Sequence, residues 1–434
     1  MKISKFQIII LAIFVIFLVA GVIAFAAYKG SNGSSSLPSI TVWGTFPKSA
    51  FDQYVSQIDQ TLPQSLTIQY VQESPASFHN DFIAALARGQ GPDALLIPVD
   101  LLLPEEDKLT LIPYSALPNS LTSTYIYESS IYLAQNGILG IPFAVDPLVM
   151  YWNRDTFNAA GIAKPPVYWD EFTGLNKAMT VKSQNGTVTR SALAMGDFTN
   201  VDNARELLGS ILLQLGNPVT TIAANGSVVS ALSSSAGKAS PIPAVSFFTR
   251  SVNPSNADYS WNRSWPDSKS AFLSGILATY FGFASEISDI RAKNPNLNFD
   301  VSPLPQVRSG GTAADYARLY GFSIVRSSPN VSAAFQIIST LVAPQYLVSL
   351  TSPTSLYLPS VNLGIIQSGS TDPYITIFDR AALIARTWLD VNPTISTNIL
   401  GSMINAVTSG QKSADQAVND AGAQYDAALQ QAMQ

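Results

Sequence analysis

Between Ser39 and Pro98 the chain alternates between two hydrophobic periods, and that alternation constrains the fold more than any other feature. Ser39-Ile40-Thr41-Val42-Trp43-Gly44 is a β-branched run ending in a glycine turn. Over residues 48–60, Phe51, Tyr54, Val55 and Ile58 share one helical face. Leu66 to Val71 alternates as a strand; Phe78, Phe82 and Leu86 then recur every four residues, predicting a helix over 77–88 with Ser77 as its N-cap. Residues 94–98 form a short apolar run typical of a buried strand. Strand, helix, strand, helix, strand predicts a parallel α/β sheet. Such sheets bind ligands beyond the C-terminal strand ends, where Trp43, Glu73 and Asp100 fall.

Gly89 to Ala94 read G-Q-G-P-D-A, which matches the G-x-G-x-x-A phosphate-binding fingerprint in letters. The fingerprint works only when a strand precedes it and a helix follows, so that the pyrophosphate sits on the helix N-terminus. Here a helix precedes and a strand follows. Gly89 and Gly91 are therefore read as a helix stop, with Pro92 turning the chain into the strand.

The 434 residues are 47% hydrophobic and 12% charged. That supplies ample core, and a single core rarely grows past roughly 250–300 residues, so at least two lobes are expected. A net charge of −5 without a basic cluster argues against a nucleic-acid partner. The chain has no cysteine, which excludes disulfides, thiolate catalysis, cysteine-based zinc sites and a lipid-modified N-terminal cysteine. His79 is the only histidine and is read as a solvated or satisfied side chain in a helix start. No calcium-loop spacing is present, so neither a metal nor a cofactor is expected.

From Gln7 to Ala27 the chain reads QIIILAIFVIFLVAGVIAFAA, flanked by Lys2 and Lys5 before and Lys29 after. That length of apolar chain spans a bilayer, and the leading lysines orient it N-terminus inward. Residues 1–29 are read as an uncleaved transmembrane anchor, with a cleaved signal at Ala24-Phe25-Ala26 as the alternative. Either way the body is extracytoplasmic. GSNGSSS, within residues 30–37, is a flexible tether.

Further along, Ile138 to Asn153 reads as extended with two prolines, and a helix is expected around Trp169 to Ala178. Residues 195–245 mix a long apolar helix, Ala204 to Leu215, with Gly/Ser-rich segments such as ANGSVVSALSSSAG, read together as a helix and loops on a second lobe. Lys269 to Leu277 predicts a helix, Phe299 to Leu304 and Tyr320 to Val325 strands, and Asn330 to Leu341 a helix capped by Asn330. Ser413 to Gln434 is an Ala/Gln-rich helix, and Glu105-Glu106-Asp107 a solvated acidic run.

The segments ITVWG, FIAALARGQGPDALL, GILGIPFAVDPLVMYWNRDTFNAAGI with KPPVYWDEF, AFLSGILATYF and YGFSIVRSSPNVSAAFQIISTLV occur in one order over roughly residues 38–365. Together they resemble the extracellular solute-binding proteins of family 1, the sugar-binding receptors of ABC importers. The resemblance implies a two-lobed, type II periplasmic-binding-protein-like α/β fold that closes over ligand by a hinge. It implies lobe I from 38–145 with about 288–325, and lobe II from 146–287 with about 326–434 and the C-terminal helices. Trp43 matches the aromatic after the first strand, Asp146 the acidic residue of the first crossing, and Asp93 a structural Pro-Asp turn. Ser285 stands where the family usually carries a sugar-stacking Trp, with Phe283 two residues earlier.

Sugars present apolar C–H faces and hydroxyl edges, so their sites combine aromatic platforms with polar acceptors. Trp43, Glu73, Asp146, Trp261, Trp265, Phe283 and Tyr320 form the expected ligand-binding set. Each has a structural alternative: core filling for Trp43, solvation for Glu73, mutual packing for Trp261 and Trp265. Asp146 resists such a reading, since a carboxylate in an apolar crossing needs a partner. Trp169 is read as a structural staple at a helix start.

The expected function is an extracytoplasmic receptor that binds a sugar, performs no chemistry and delivers to an ABC permease. The rivals are an exported glycosidase, which would also use carboxylates and aromatic platforms, and a surface-tethered binding module without a transporter.

Overall fold

The computed structural model describes residues 39–60, 67–117, 121–233 and 239–432. The N-terminal apolar segment and its tether lie outside them. Among the described residues no single helix is long and apolar enough to cross a membrane.

Ten strands of the described residues join in one sheet. β1 (Ile40–Gly44) pairs in parallel with β2 (Ile68–Gln72) on one side and β3 (Ala94–Pro98) on the other. Helices α1 (Lys48–Asp59) and α2 (Phe78–Ala87) make the crossovers between them. On α1, Phe51, Tyr54 and Ile58 are buried, Phe51 stacks 4.3 Å from Tyr70, and the Tyr54 hydroxyl donates to Leu341 O. Gly89 adopts φ +67°, a left-handed conformation free of steric cost without a Cβ, and Gln90 N–H donates back to Ala85 O. The GxG letters thus end a helix, as expected. Ser77 occupies the N-cap position but its side chain makes no cap hydrogen bond.

The turn after Gly91 is fixed by Asp93. Its Oδ2 accepts Thr41 N–H at 2.8 Å, and its Oδ1 accepts Ser328 Oγ–H at 2.6 Å and Asn330 Nδ2–H at 3.1 Å. Asn330 therefore does not cap the helix that follows through its side chain; the Oδ1 acceptor of Asp93 holds its amide instead.

Five longer strands follow, β4 (Ile141–Asn153), β5 (Val188–Leu193), β6 (Leu277–Phe283), β7 (Phe299–Ser302) and β8 (Asp315–Ile324), and the two-residue strands Val181–Lys182 and Ala385–Arg386 complete the ten. β4 is the long crossing strand. Its first half, Ile141 to Pro147, pairs antiparallel with β8. Its second half pairs with β6 from Leu148 onward and with β7 from Met150 to Asn153. Pro147 stands at the change of partner, where a residue without an N–H leaves the ladder unextended. β8 begins at Asp315, five residues earlier than its Tyr320 start in sequence, and pairs with β3 as well as β4.

Helices α3 (Ala204–Gln214), α4 (Val331–Leu341), α5 (Pro393–Thr408) and α6 (Ala414–Ala432) flank the sheet. Two sequence expectations fail here. The Gly/Ser-rich stretch after α3 contains a hairpin, Thr220–Ile222 against Val228–Ser230, because Gly226 at φ +86° and Ala223 N–H to Ser227 O close a tight turn. The acidic run is solvated only in part: Glu105 is 1% exposed, with Oε1 2.7 Å from His79 Nδ1. Trp169 is the staple expected, buried and donating Nε1–H to Gln214 Oε1 at 2.8 Å.

Candidate functional site

Asp146 lies one residue before the partner change on β4, directly opposite Arg318 in the β4–β8 ladder. β6 ends with Phe283 opposite Leu148, so the chain beyond it runs past Pro147 and brings Ser285 to Asp146. Ser285 N–H donates to Asp146 Oδ1 at 3.0 Å and Ser285 Oγ–H to Oδ2 at 2.7 Å. Burial raises the Asp146 pKa to about 6, partly offset by the Arg318 charge and the two Ser285 hydrogen bonds. The Arg318 guanidinium lies 3.6 Å from the Phe283 ring centroid, a close cation–π contact.

Side chains two apart on a strand share a face, so Tyr316, Arg318 and Tyr320 form one stripe along β8. Tyr320 packs 4.1 Å from the Phe46 ring, in the turn after β1. At the other end, Tyr316 meets a second, larger ionic cluster. Arg205, in the first turn of α3, places Nη2 2.7 Å from Asp100 Oδ2 and 2.8 Å from Glu206 Oε1, and Nη1 2.6 Å from Asp390 Oδ2. The Tyr316 hydroxyl accepts from Arg205 Nη2 and donates to Asp100 Oδ2, both at 3.1 Å. The Tyr316 and Trp388 rings lie 5.6 and 5.4 Å from the guanidinium carbon.

Asp390 accepts further bonds from Ser396 Oγ and the Tyr425 hydroxyl, which ties α5 and α6 to the cluster. Burial pushes Asp390 up, against the pull of Arg205 and these hydroxyls. Glu206 moves the other way: burial is outweighed by Arg205 and Arg318, which hold it below the usual carboxylate range. The start of α3 is aimed by Asn203, a left-handed residue at φ 55°. Its Nδ2 donates to the Tyr280 hydroxyl, Phe281 O and Glu286 Oε1, which fixes a backbone conformation that Asn tolerates better than most residues.

The expected residues are distributed as follows. Asp146, Phe283 and Tyr320 come together around the β8 stripe. Trp43 lies at the end of β1, half-buried, its ring edge-on to Phe82 at 6.4 Å. Glu73 follows β2, half-buried, its N–H donating to Gly44 O, and burial and then Asp81 push its carboxyl up. Trp261 is fully buried and donates Nε1–H to Asn200 Oδ1 at 2.9 Å; its ring lies 4.9 Å from that of half-buried Trp265. A cavity of about 650 Å³ lies elsewhere, lined by Leu103, Lys108, Leu111, Leu139, Arg326 and Ala432 among others.

Sequence reasoning missed Arg205, Glu206, Arg318, Tyr316 and Asp390. A signal for two of them was present: an Arg-Glu pair opens α3, all of whose residues are buried, and buried charges are rarely left without partners. The DYARLYG stripe carried another, since Arg318 alternates with Tyr316 and Tyr320.

Four carboxylates and two guanidiniums at one seam, with phenol, indole and phenyl faces beside them, suit hydrogen bonding to a polar solute. Among the described residues no group of three or more His, Asp or Glu is placed to hold a metal ion.

No curated protein sequence matches the chain. The fold is similar to the GacH receptor of Streptomyces glaucescens, known unliganded and in complex with acarbose, at 16% identity over 90% of this chain and 98% of that one, TM-score 0.67. It is similar to the cyclic alpha-maltosyl-1,6-maltose binding protein from Arthrobacter globiformis, at 17% identity over 91% and 99%, TM-score 0.71. A third is the maltose-maltodextrin binding protein of Alicyclobacillus acidocaldarius, at 18% identity over 89% and 100%, TM-score 0.66. These likenesses show a two-lobed α/β fold. The sequence itself matches the family profile over residues 49–347, and the chain belongs to the bacterial extracellular solute-binding proteins.

Proposed function

We propose that this chain is an extracytoplasmic receptor that captures a sugar or oligosaccharide between its lobes and delivers it to an ABC permease without chemical turnover. The observation that carries the reading is the crossing itself. β4 and β8 pass between two halves of the sheet at Asp146 and Arg318, beside the Phe283 ring, in a chain of a solute-binding family. A carboxylate, a guanidinium and aromatic faces at a hinge are the groups that hold hydroxyl edges and C–H faces. Two proteins of similar fold are named as binding maltose-maltodextrin and cyclic alpha-maltosyl-1,6-maltose, and a third is known in complex with acarbose. We take Trp43, Glu73, Asp146, Phe283 and Tyr320 as ligand contacts once the lobes open, with Trp261 and Trp265 supporting the wall behind them. Gln7 to Ala27 serves as the membrane anchor.

We redraw the expected lobe boundaries at two places. Residues 299–302 pair with the second half of β4, which supports assigning them to lobe II. α4 packs on β8, and Leu341 O accepts the Tyr54 hydroxyl of α1, which supports assigning 331–341 to lobe I.

Thermal-shift measurements on the full chain against mono- and oligosaccharides, amino acids and polyols test the function. A ligand bound by the native state alone stabilises it by about 2.7 kcal/mol at a hundredfold excess over Kd. A sugar that shifts the wild type, is recovered unchanged and fails to shift Asp146→Ala supports the receptor. A sugar that is hydrolysed supports the glycosidase, and a panel in which only non-sugar solutes act removes the carbohydrate reading.

A further inference from the structure

Asp100 follows β3, strand-paired to β1 and to the Tyr320 half of β8, whereas Arg205 opens α3, which packs on the Tyr316 end of β8 and beside α5. Their ion pair therefore breaks, with the Tyr316 bridge beside it, when the two halves of the seam separate. The consequences on the two sides are unequal. Arg205 keeps Glu206 at 2.8 Å and Asp390 at 2.6 Å and stays doubly compensated. Asp100 loses its cation and the hydrogen bond from the Tyr316 hydroxyl as well, because Tyr316 N–H is held by Ser210 Oγ of α3 and the Tyr316 ring lies 4.9 Å from that of Trp388.

Even in the joined arrangement Asp100 is under-served. The residue is 3% exposed, Oδ2 accepts from Arg205 and Tyr316, and Oδ1 is buried with no hydrogen-bond partner among the described residues. A buried acceptor left unmatched is costly, and more so when charged. The seam as a whole leans the same way. Asp100, Asp146, Glu206 and Asp390 face Arg205 and Arg318, so carboxylates outnumber guanidiniums. Burial pushes Asp146 and Asp390 toward holding a proton, while Arg205 and Arg318 hold Glu206 below the usual carboxylate range.

We infer that the solute captured here carries a protonated amine, an amino sugar rather than a neutral one, and that its ammonium takes the place at Asp100 which the Arg205 guanidinium fills in the arrangement seen. This inference rests on the sugar-receptor reading above. A hydroxyl closing over Asp100 would leave a carboxylate buried without a countercharge. An ammonium supplies that charge and three N–H donors, enough for Oδ2 and for the unmatched Oδ1.

The test is calorimetric titration of the full chain at about pH 6, where an aliphatic amine is protonated. The probes are glucosamine, galactosamine, mannosamine and the deacetylated chitobiose disaccharide, each beside its N-acetylated and its neutral hydroxyl counterpart. At least one amine should bind about tenfold or more tighter than both counterparts, in line with the coupling of desolvated charge pairs. Asp100→Asn should erase that preference, and in the wild type it should collapse at about pH 10, where a sugar amine, weakened by its neighbouring oxygens to the basicity of an α-amino group at about 8, is neutral. The second arm needs no variant and so stands even if Asp100→Asn misfolds. Equal or tighter binding of the neutral or N-acetylated sugars overturns this inference and leaves the sugar receptor standing. Binding of no sugar of any kind overturns both, and a preference that survives Asp100→Asn in a folded variant overturns the role given to Asp100.

Discussion

Arg205 Nη2 lies 2.7 Å from Asp100 Oδ2, both side chains almost fully buried, and this single pair links the end of β3 to the start of α3. Because Arg205 also compensates Glu206 and Asp390, its removal leaves three carboxylates in low dielectric. Arg205→Met, close in length but neutral, should destabilise the protein by about 3–5 kcal/mol. Urea denaturation followed by tryptophan fluorescence measures this. Adding Asp100→Asn to Arg205→Met should cost less than the separate effects together, since it removes one of the stranded charges. A single variant as stable as the wild type would show that the cluster is compensated by water instead.

Ser285 and Asp146 test the smaller cluster. Ser285→Ala deletes the Oγ–H donor at 2.7 Å and leaves the backbone N–H donor at 3.0 Å. A hydrogen bond to a charged group contributes about 1.5–3 kcal/mol, so a loss in that range is expected in the same denaturation assay. The lost donor favoured the ionised form, so Asp146 should titrate above its value of about 6. Carboxyl-carbon NMR of wild type and variant decides it, and an unmoved or lowered Asp146 titration would contradict the account.

These two clusters also mark where the sequence is legible and where it is not. The β1 to β3 region could be read from local periodicity because each strand and helix buries one regular face, as Phe51, Tyr54 and Ile58 do on α1. The glycine stop at Gly89 was equally local. Asp146 stood out because a charge in an apolar run demands a partner. Its partners did not: Arg318 lies 172 positions away in register and Ser285 is brought in by the β6 end, and such pairings depend on topology rather than on neighbours in the chain. Arg205 was hidden for the same reason, as Asp100 and Asp390 reach it from 105 and 185 positions away in the chain.

Glycine positions give a paired prediction about the turn that carries Phe46 to Tyr320. A Cβ on Gly44 would lie 2.5 Å from the Tyr70 hydroxyl oxygen and 2.8 Å from Leu96 O, while one on Gly174 meets nothing within 4 Å. The Tyr70 hydroxyl donates to Phe46 O at 3.0 Å, so displacing it also disturbs this turn. Gly44→Ala should cost about 1–3 kcal/mol by overpacking. Gly174→Ala, in a helix, should stabilise by up to about 1 kcal/mol. Melting temperatures of the two variants check both signs, and a stabilising Gly44→Ala would mean that the β1 end relaxes more freely than its contacts imply.

Glu128 predicts a pH dependence of stability. It is 8% exposed, its Oε1 accepts Thr387 N–H at 2.7 Å, and burial raises its pKa from 4.5 to about 7 despite that bond and the nearby Arg386 charge. A carboxyl whose native pKa is raised holds its proton in the folded state over an interval where the unfolded chain has already released it. Its contribution to stability is therefore full below pH 4.5 and is lost as pH rises through about 7. At about 1.4 kcal/mol per pH unit, the loss across that interval is roughly 3 kcal/mol. Glu128→Gln keeps an acceptor for Thr387 N–H and removes the proton. Stability of the variant should fall less steeply than that of the wild type between pH 4.5 and 7, with the two curves parallel above that range. Urea midpoints at half-unit pH steps measure the difference, and parallel curves throughout would mean that water reaches Glu128 and leaves its carboxyl near the ordinary range.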